Sequence, residues 1–474
     1  MRRVWPRIVL PLVALLVVAA VSLAALDLSG NLPGGIVADP TPTPTPTRPL
    51  DPDPVAAGEV LAGEPAPAPT GGAAPELPTL PEEDLDRLLT DGSLGPDPGA
   101  VVVDLGTGSD LLSRDASTAR TPASVAKLAT GAAALMRLDP ESRLRTRVVH
   151  GATPGELVLV GAGDASLSSR RPSGRYFPLR ASLPGLADAV ADGLRAQGIA
   201  SVRLAVDDSI FTGPAVSPDW PATYVGSGVV SPVSALSVDA GRVSPESDAR
   251  EPDPALAAGR DLARLLTRRG VTVTGEVARV TAPAGSAAEV GAVESPTVAE
   301  LVELMLQTSD NDLAEALLRL VAIGSDRPGT FDDGRAVVGE VLDELGVSGP
   351  TTSLLDGSGL ARGSVVAPET LVRLLAVASD GTDRPELWHL LTGLPVAGFT
   401  GTLAARFLTE VVAGGEGAGE VRAKTGTLTG VSTLAGTATV DGRPVAFVVM
   451  ANDVTDTLAA RAALDRFAAL VADG

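Results

Sequence analysis

The most reactive combination of side chains in the sequence is a serine and a lysine three positions apart. Ser124 and Lys127 form an S-x-x-K pattern, and only two of the 37 lysines and arginines are lysines. Residues at this spacing share one face of a helix. A lysine in an apolar site loses basicity, because burial disfavours its charged form, and can then take the proton of a serine. Arginine stays protonated. Ser124 is therefore a candidate nucleophile and Lys127 its candidate base.

A second pattern contains groups that can serve the same reaction. Ser309, Asp310 and Asn311 form an S-x-N tripeptide, in a chain with only three asparagines. The Ser309 hydroxyl can relay a proton between Lys127 and a leaving amine, and Asn311 can hydrogen-bond a substrate amide. Taken alone, an S-x-x-K also fits a surface helix that carries an incidental serine and lysine.

The other lysine lies in a third pattern near the C-terminus, Lys424-Thr425-Gly426. Lys424 and the Thr425 hydroxyl can bind a terminal carboxylate, and Gly426 lets a substrate lie against the strand as an added strand. The backbone amide of Thr427 can pair with that of Ser124 to stabilise an oxyanion. Chance rarely supplies all three patterns in one chain, so together they indicate serine acyl transfer.

The elements around these residues must bring them together. Thr121 can cap a helix that begins at Pro122, and its apolar pattern from Ser124 onwards predicts that it is buried. Residues 295–322 predict two helices that are broken at the S-x-N tripeptide. Residues 431–453 predict two strands around an Asp-Gly turn.

Strands also flank a predicted turn near the start of the globular part, in residues 99–116. Strands at both ends of this part, with helices between them, predict an α+β fold whose antiparallel sheet closes from distant segments.

Composition divides the chain into regions. An apolar run from Ile8 to Leu26 follows three arginines, which predicts export and a signal peptide or N-terminal membrane anchor. A buried core helix is the alternative for this run. A Pro- and Thr-rich stretch then predicts an extended extracytoplasmic linker. The predicted boundaries are 1–30 for the signal peptide or anchor, 31–80 for the linker, 81–160 and 296–474 for the catalytic domain, and 161–295 for one or more inserted domains.

Charge and composition argue against several classes of function. The net charge of −21 argues against binding nucleic acid, because phosphate contacts need a basic face. The absence of cysteine removes disulfides, thiolate metal sites and cysteine nucleophiles. The chain has two histidines, which argues against a metal site built from several of them. No metal or cofactor is expected.

With these three motifs the chain resembles the D-alanyl-D-alanine carboxypeptidases/endopeptidases, the low-molecular-mass penicillin-binding proteins with a large insertion between the first two motifs. Ser124 and Ser309 are 185 positions apart, more than a compact β-lactamase-like domain holds there. The resemblance implies a penicillin-binding-protein/β-lactamase-like transpeptidase domain, an antiparallel sheet flanked by helices, with a large inserted region. It covers roughly residues 85–470 and includes the stretches 161–167, 207–211, 235–239 and 356–362.

The resemblance implies a penicillin-sensitive enzyme that trims or cleaves peptidoglycan stem peptides through an acyl-enzyme. β-Lactam antibiotics should acylate Ser124, and an uncleaved N-terminal segment would attach the enzyme to the membrane. In the family, an acid of the inserted region and an arginine bind the side chain of a diamino acid; they correspond to Asp207 and Arg362. A turn residue and a solvated charge are equally good interpretations of these two positions.

Two other functions remain open on the sequence. One is a β-lactamase or esterase on the same scaffold, although no nearby glutamate resembles a β-lactamase deacylating base. The other is a non-catalytic wall-binding or lactam-sensing protein, although the intact Ser124, Lys127, Ser309 and Lys424 argue against a decayed site.

Overall fold

The computed structural model describes residues 77–473 except for 174–176, 284–287 and 408–416. The predicted signal peptide or anchor (residues 1–30) and almost all of the predicted linker (residues 31–80) therefore lie outside the described residues. Within the described part of the chain, no helix is long and apolar enough to cross a membrane.

Segments from both ends of the described chain form one antiparallel sheet, as the sequence predicts. The strand order is β2-β1-β11-β10-β9, so β9 lies at an edge of the sheet. Its strands are β1 (Gly99–Asp104), β2 (Asp110–Arg114), β9 (Arg422–Leu428), β10 (Val431–Val440) and β11 (Arg443–Asn452).

Strand β11 is buried on both of its faces. Ala446 and Val448 pack into one hydrophobic cluster, whereas Phe447 and Val449 pack into a second cluster on the opposite face. This alternation is the period of two that a strand imposes on its side chains. An apolar run without polar positions therefore marks a strand that is covered on both faces by helices.

Helices cover both faces of this sheet. The described helices are α1 (Glu82–Thr90), α2 (Lys127–Arg137), α3 (Leu183–Ala196), α4 (Thr223–Gly226), α5 (Pro254–Thr267), α6 (Val298–Thr308), α7 (Asn311–Gly324), α8 (Phe331–Glu344), α9 (Pro368–Asp380), α10 (Trp388–Thr392) and α11 (Thr457–Asp473). Helices α1 and α11 contribute to the cluster around Phe447. Helices α2, α6, α7 and α9 contribute to the opposite cluster, which is the side that holds the three motifs.

A second sheet lies in the region between the first two motifs, where the sequence predicts an insertion. Its strands are β3 (Arg143–His150), β4 (Glu156–Val160), β5 (Ser201–Asp207), β6 (Thr272–Val273), β7 (Ala278–Arg279) and β8 (Glu289–Thr297), in the order β6-β5-β4-β3-β8 with β7 beside β5. The boundary predicted from the sequence places β3 and β4 in the catalytic part, 81–160. Because β4 pairs in parallel with β5, they belong to this second sheet instead. We therefore propose that the insertion spans residues 143–297.

The chain returns from the insertion directly into the S-x-N motif. Thr297 and Glu300 form a capping box at the start of α6. Helix α6 ends at Thr308, and its C-cap residue Ser309 has a left-handed backbone (φ 58°). Asp310 then caps α7 by accepting a hydrogen bond from the Leu313 amide at 2.9 Å. The break between two helices that the sequence predicts at this tripeptide is present.

Candidate active site

Ser124 and Lys127 lie in a tight turn that leads into α2. Residues Ala123–Ala126 form one turn of 3-10 helix and α2 begins at Lys127, so the α-helix starts later than predicted. Residues three apart eclipse one another in a 3-10 helix, and Lys127 Nζ lies 3.0 Å from Ser124 Oγ. The predicted cap is wrong, because the Thr121 hydroxyl donates to the carbonyl of Arg362 instead.

Lys127 is fully buried, and its amine faces three acceptors. Nζ lies 3.0 Å from Ser124 Oγ, 2.8 Å from Asn311 Oδ1 and 2.8 Å from the Ser358 carbonyl oxygen. These acceptors match the three N–H donors of an ammonium group. Burial lowers the pKa of Lys127 to about 8, against the opposing effect of the charge on Asp356. At pH 7 roughly one tenth of the amine is therefore neutral and able to accept a proton from Ser124.

Asn311 contacts the candidate base in this structure. Its Oδ1 accepts from Lys127, and its Nδ2 donates to the carbonyl of Val229 at 2.9 Å. The side chain thus connects Lys127 to the inserted region. The binding of a substrate amide by Asn311 stays a prediction.

Lys424 is fully buried beside Ser309. Its Nζ donates to Ser309 Oγ and to the Thr425 carbonyl, both at 2.8 Å. Burial, together with the charge of Lys127, lowers the pKa of Lys424 well below its ordinary value. The Thr425 hydroxyl lies 2.9 Å from that of Thr402. The second and third motifs therefore contact each other through the Ser309 hydroxyl and the buried Lys424 amine. This contact has the same form as the one between Ser124 and Lys127 in the first motif.

Gly426 marks the closest approach of β9 to the candidate nucleophile. A Cβ at this position would lie 2.8 Å from the Pro122 carbonyl oxygen, 3.1 Å from the Ser124 amide nitrogen and 2.1 Å from Thr433 Oγ1. Only glycine allows this approach. Because β9 is an edge strand, Thr427 and its neighbours can pair with an extended peptide that passes the serine.

Asp207 and Arg362 occupy different surroundings. Asp207 is buried, and its two carboxylate oxygens accept from the backbone amides of Ser209 (2.9 Å) and Ala282 (2.7 Å). These contacts stabilise a turn at the end of β5, which is the alternative left open by the sequence, and the contact of Asp207 with a diamino acid stays a prediction. Arg362 is exposed and donates to the carbonyl of Thr429, just beyond β9. Its contact with a diamino acid stays a prediction.

A buried ion pair attaches the insertion to α7 beside Asn311. Arg250 Nη1 lies 3.0 Å from Asp312 Oδ2, with the two side chains 2% and 9% exposed. Asp312 Oδ1 also accepts from the Ser231 amide at 2.7 Å. Burial and the charge of Asp310 raise the pKa of Asp312 to about 6, and the charge of Arg250 opposes this shift. The insertion therefore helps to hold the helix that carries Asn311.

The comparison with known proteins agrees with this geometry. Residues 81–253 and 248–472 match the D-Ala-D-Ala carboxypeptidase 3 (S13) family. The chain belongs to this family. A carboxypeptidase of Mycobacterium tuberculosis is 36% identical over 74% of this chain and 75% of its own length. The D-alanyl-D-alanine carboxypeptidase of Actinomadura sp. is 30% identical over 83% of this chain and 84% of its own length.

A solved structure has the same fold as this S13 carboxypeptidase. Penicillin-binding protein 4 of Haemophilus influenzae superimposes with a TM-score of 0.66 at 23% identity, over 82% of this chain and 98% of that chain. The predicted family, the α+β fold class and the enzyme class of serine-type carboxypeptidase are thereby confirmed.

The residues that lie behind Lys127 were not predicted from the sequence. Ser358 supplies a carbonyl to Lys127, and it lies within the 356–362 stretch that contributed to the resemblance. Glu315, which contacts Ser358, follows Asn311 by four positions and so lies on the same face of α7. The spacing of four from Asn311 is the sequence feature that could have identified Glu315 as part of the site.

Proposed function

We propose that this S13 carboxypeptidase removes the terminal D-alanine of peptidoglycan stem peptides through an acyl-enzyme on Ser124. The observation that carries the proposal is the fully buried Lys127 amine, 3.0 Å from the Ser124 hydroxyl and with its pKa lowered to about 8. The D-alanyl-D-alanine carboxypeptidase of Actinomadura sp. supports the choice of substrate.

In acylation, Ser124 Oγ attacks the carbonyl carbon of the penultimate D-alanine while its proton moves to the neutral Lys127 amine. The backbone amides of Ser124 and Thr427 bind the oxyanion that develops. The peptide C–N bond then breaks, and the departing D-alanine nitrogen takes the proton that Lys127 accepted. The Ser309 hydroxyl would relay this proton; in the structure it contacts Lys424 and not Lys127. Water hydrolyses the resulting ester and releases the shortened peptide. Cutting of a cross-link that ends at an equivalent D-alanyl bond follows the same steps.

The substrate backbone would pair with the edge of β9, and its terminal carboxylate would bind at the Thr425 hydroxyl. Lys424 is buried and donates to Ser309 and to the Thr425 carbonyl. A carboxylate bound nearby would favour the charged form of its amine, against the effect of burial. β-Lactams present a strained amide in place of the D-alanyl bond and would acylate the same serine. Such a reaction requires no metal and no cofactor.

The substrate also fits the proposed location. Peptidoglycan lies outside the cytoplasmic membrane, and the apolar run from Ile8 to Leu26 behind three arginines favours export of everything that follows it. We infer that the catalytic region acts in the wall space, attached through the N-terminal segment if that segment is not cleaved.

The rate of acylation should depend on pH through Lys127. Because only the neutral amine can accept the Ser124 proton and the pKa of Lys127 is about 8, the rate should rise about tenfold per pH unit below that value and level off above it. The measurement is the rate of adduct formation with benzylpenicillin between about pH 5.5 and pH 9.5. A rate that stays constant over this range would contradict a lysine base.

Release of D-alanine from a synthetic stem peptide that ends in D-Ala-D-Ala tests the proposed function. The full-length chain should release D-alanine and should be inhibited by benzylpenicillin as an adduct accumulates. Sustained consumption of the lactam without D-alanine release would instead identify a β-lactamase. A stable adduct with no release of D-alanine would identify a lactam-sensing protein.

A further inference from the structure

We propose that Glu315 is a positioning residue that holds the base Lys127 in place through the loop formed by residues 356–361. The proposal rests on the function proposed above for Ser124 and Lys127, and it assigns a role to a buried acid that the mechanism does not otherwise use.

Glu315 and Lys127 contact opposite ends of the same residue. Glu315 lies in α7 with no exposed surface. Its Oε1 accepts from the Ser358 amide at 2.8 Å, and its Oε2 accepts from the Gly357 amide at 3.1 Å. The carbonyl oxygen of Ser358 accepts from Lys127 Nζ at 2.8 Å. The two amide bonds to Glu315 therefore fix the residue that supplies one of the three acceptors of Lys127.

A second buried acid, Asp356, shapes the rest of this loop. It accepts from the Gly359 amide (2.8 Å), the Ala361 amide (2.7 Å) and the indole N–H of Trp220 (2.8 Å). Gly359 has a φ of 79°, and a Cβ there would lie 1.9 Å from the carbonyl oxygen of Ala123, the residue before the nucleophile. The loop thus packs against both the base and the turn that carries Ser124, and a shift of the loop would move both.

Glu315 also acts on Lys127 through its charge. The negative charges of Asp356 and Glu315 hold the pKa of Lys127 above the value that burial alone would give. Burial and the charge of Asp356 raise the pKa of Glu315, whereas the hydrogen bonds that it accepts from the Gly357 and Ser358 amides favour its carboxylate form. The other charged groups that interact with this pair are Asp310, Asp312, Arg319 and Lys424. Neutralising Glu315 should therefore lower the pKa of Lys127. It should also weaken the contacts that hold the Lys127 amine in position beside Ser124.

The test is Glu315→Gln, measured by the rate of acylation with benzylpenicillin as a function of pH. An amide in place of the carboxylate presents an NH₂ group to one of the two loop amides, so one hydrogen bond is lost. We expect acylation to slow roughly ten- to hundredfold, the usual effect of losing one hydrogen bond to a charged group. The apparent pKa of the rate profile should fall below that of the wild type.

Asp104→Asn is the matched control. Asp104 is equally buried, accepts a hydrogen bond from the backbone amide of Thr107 and pairs with Arg443, but it lies at the β1–β2 turn. This variant should lose stability in a thermal melt and keep both the rate and the pH profile of the wild type. Glu315→Asp retains the charge and shortens the reach, so it should slow acylation with an apparent pKa close to that of the wild type.

Two results would overturn the positioning role. One is a Glu315→Gln protein that is acylated at the wild-type rate, and the other is a slower reaction whose apparent pKa is unchanged. If Glu315→Gln does not fold, Glu315→Asp decides, and acylation of that variant at the wild-type rate would also overturn the proposal. A wild-type chain that is not acylated at all would reject the proposed function itself, so the two failures are distinguishable.

Discussion

Lys127→Arg should abolish acylation of Ser124, with adduct formation from benzylpenicillin slowed roughly a thousandfold or more, the range expected for loss of a general base. The guanidinium group stays protonated at every pH at which the protein is folded, so it cannot take the serine proton. It would keep the positive charge in the site, which separates the loss of basicity from the loss of charge. The time course of the adduct by intact-protein mass spectrometry measures the effect.

Lys424→Arg is the companion variant, because the role assigned to Lys424 is electrostatic. Its acylation should be slowed, since the donor geometry toward Ser309 changes, but it should remain measurable. Thermal melts of both variants show whether the buried site tolerates the larger side chain. Normal acylation of a folded Lys127→Arg protein would show that Lys127 is not the base.

Gly426→Ala should slow acylation by roughly a hundredfold, the loss that a misplacement of about 1 Å can cause in a reacting group. The added Cβ would lie 2.1 Å from Thr433 Oγ1 and 2.8 Å from the Pro122 carbonyl. Because the Pro122 contact is with backbone, β9 must move away from the turn that carries Ser124. The same adduct time course measures the effect.

Gly339→Ala is the control for this substitution. Gly339 lies within α8 and an added Cβ there would have no atom within 4 Å. Alanine favours the helix, so this variant should be as stable as the wild type or slightly more stable, with unchanged acylation. Wild-type acylation of Gly426→Ala would mean that β9 does not have to approach the nucleophile as closely as the structure shows.

The local parts of the site could be predicted from the sequence, and the long-range parts could not. The contact between Ser124 and Lys127 follows from a spacing of three, and the helix break at the S-x-N tripeptide follows from its polar residues. The contact between Lys127 and Asn311 joins residues 184 positions apart. No local rule predicts that the amide oxygen of Asn311 faces the lysine, and only the packing of α2 on α7 decides it.

Asp207 illustrates the same limit for a single side chain. The resemblance predicts a ligand contact for Asp207, which stays a prediction, and its oxygens accept from backbone amides that lie 2 and 75 positions away. The contact with Ser209 could be predicted, because an aspartate often accepts from the amide two residues later in a turn. The contact with Ala282 depends on the packing of the second sheet and could not. The proposed start of the insertion at residue 143 depends on a long-range contact in the same way, because it rests on the pairing of β4 with β5.

The most direct test of the account is whether benzylpenicillin attaches to Ser124. Intact-protein mass spectrometry of the full-length wild type and of Ser124→Ala after incubation with the antibiotic, followed by peptide mapping, gives the answer. The account predicts a single adduct on the wild type that maps to the peptide containing Ser124, and none on Ser124→Ala. An adduct of equal amount on Ser124→Ala, or an adduct that maps to another serine, would contradict it.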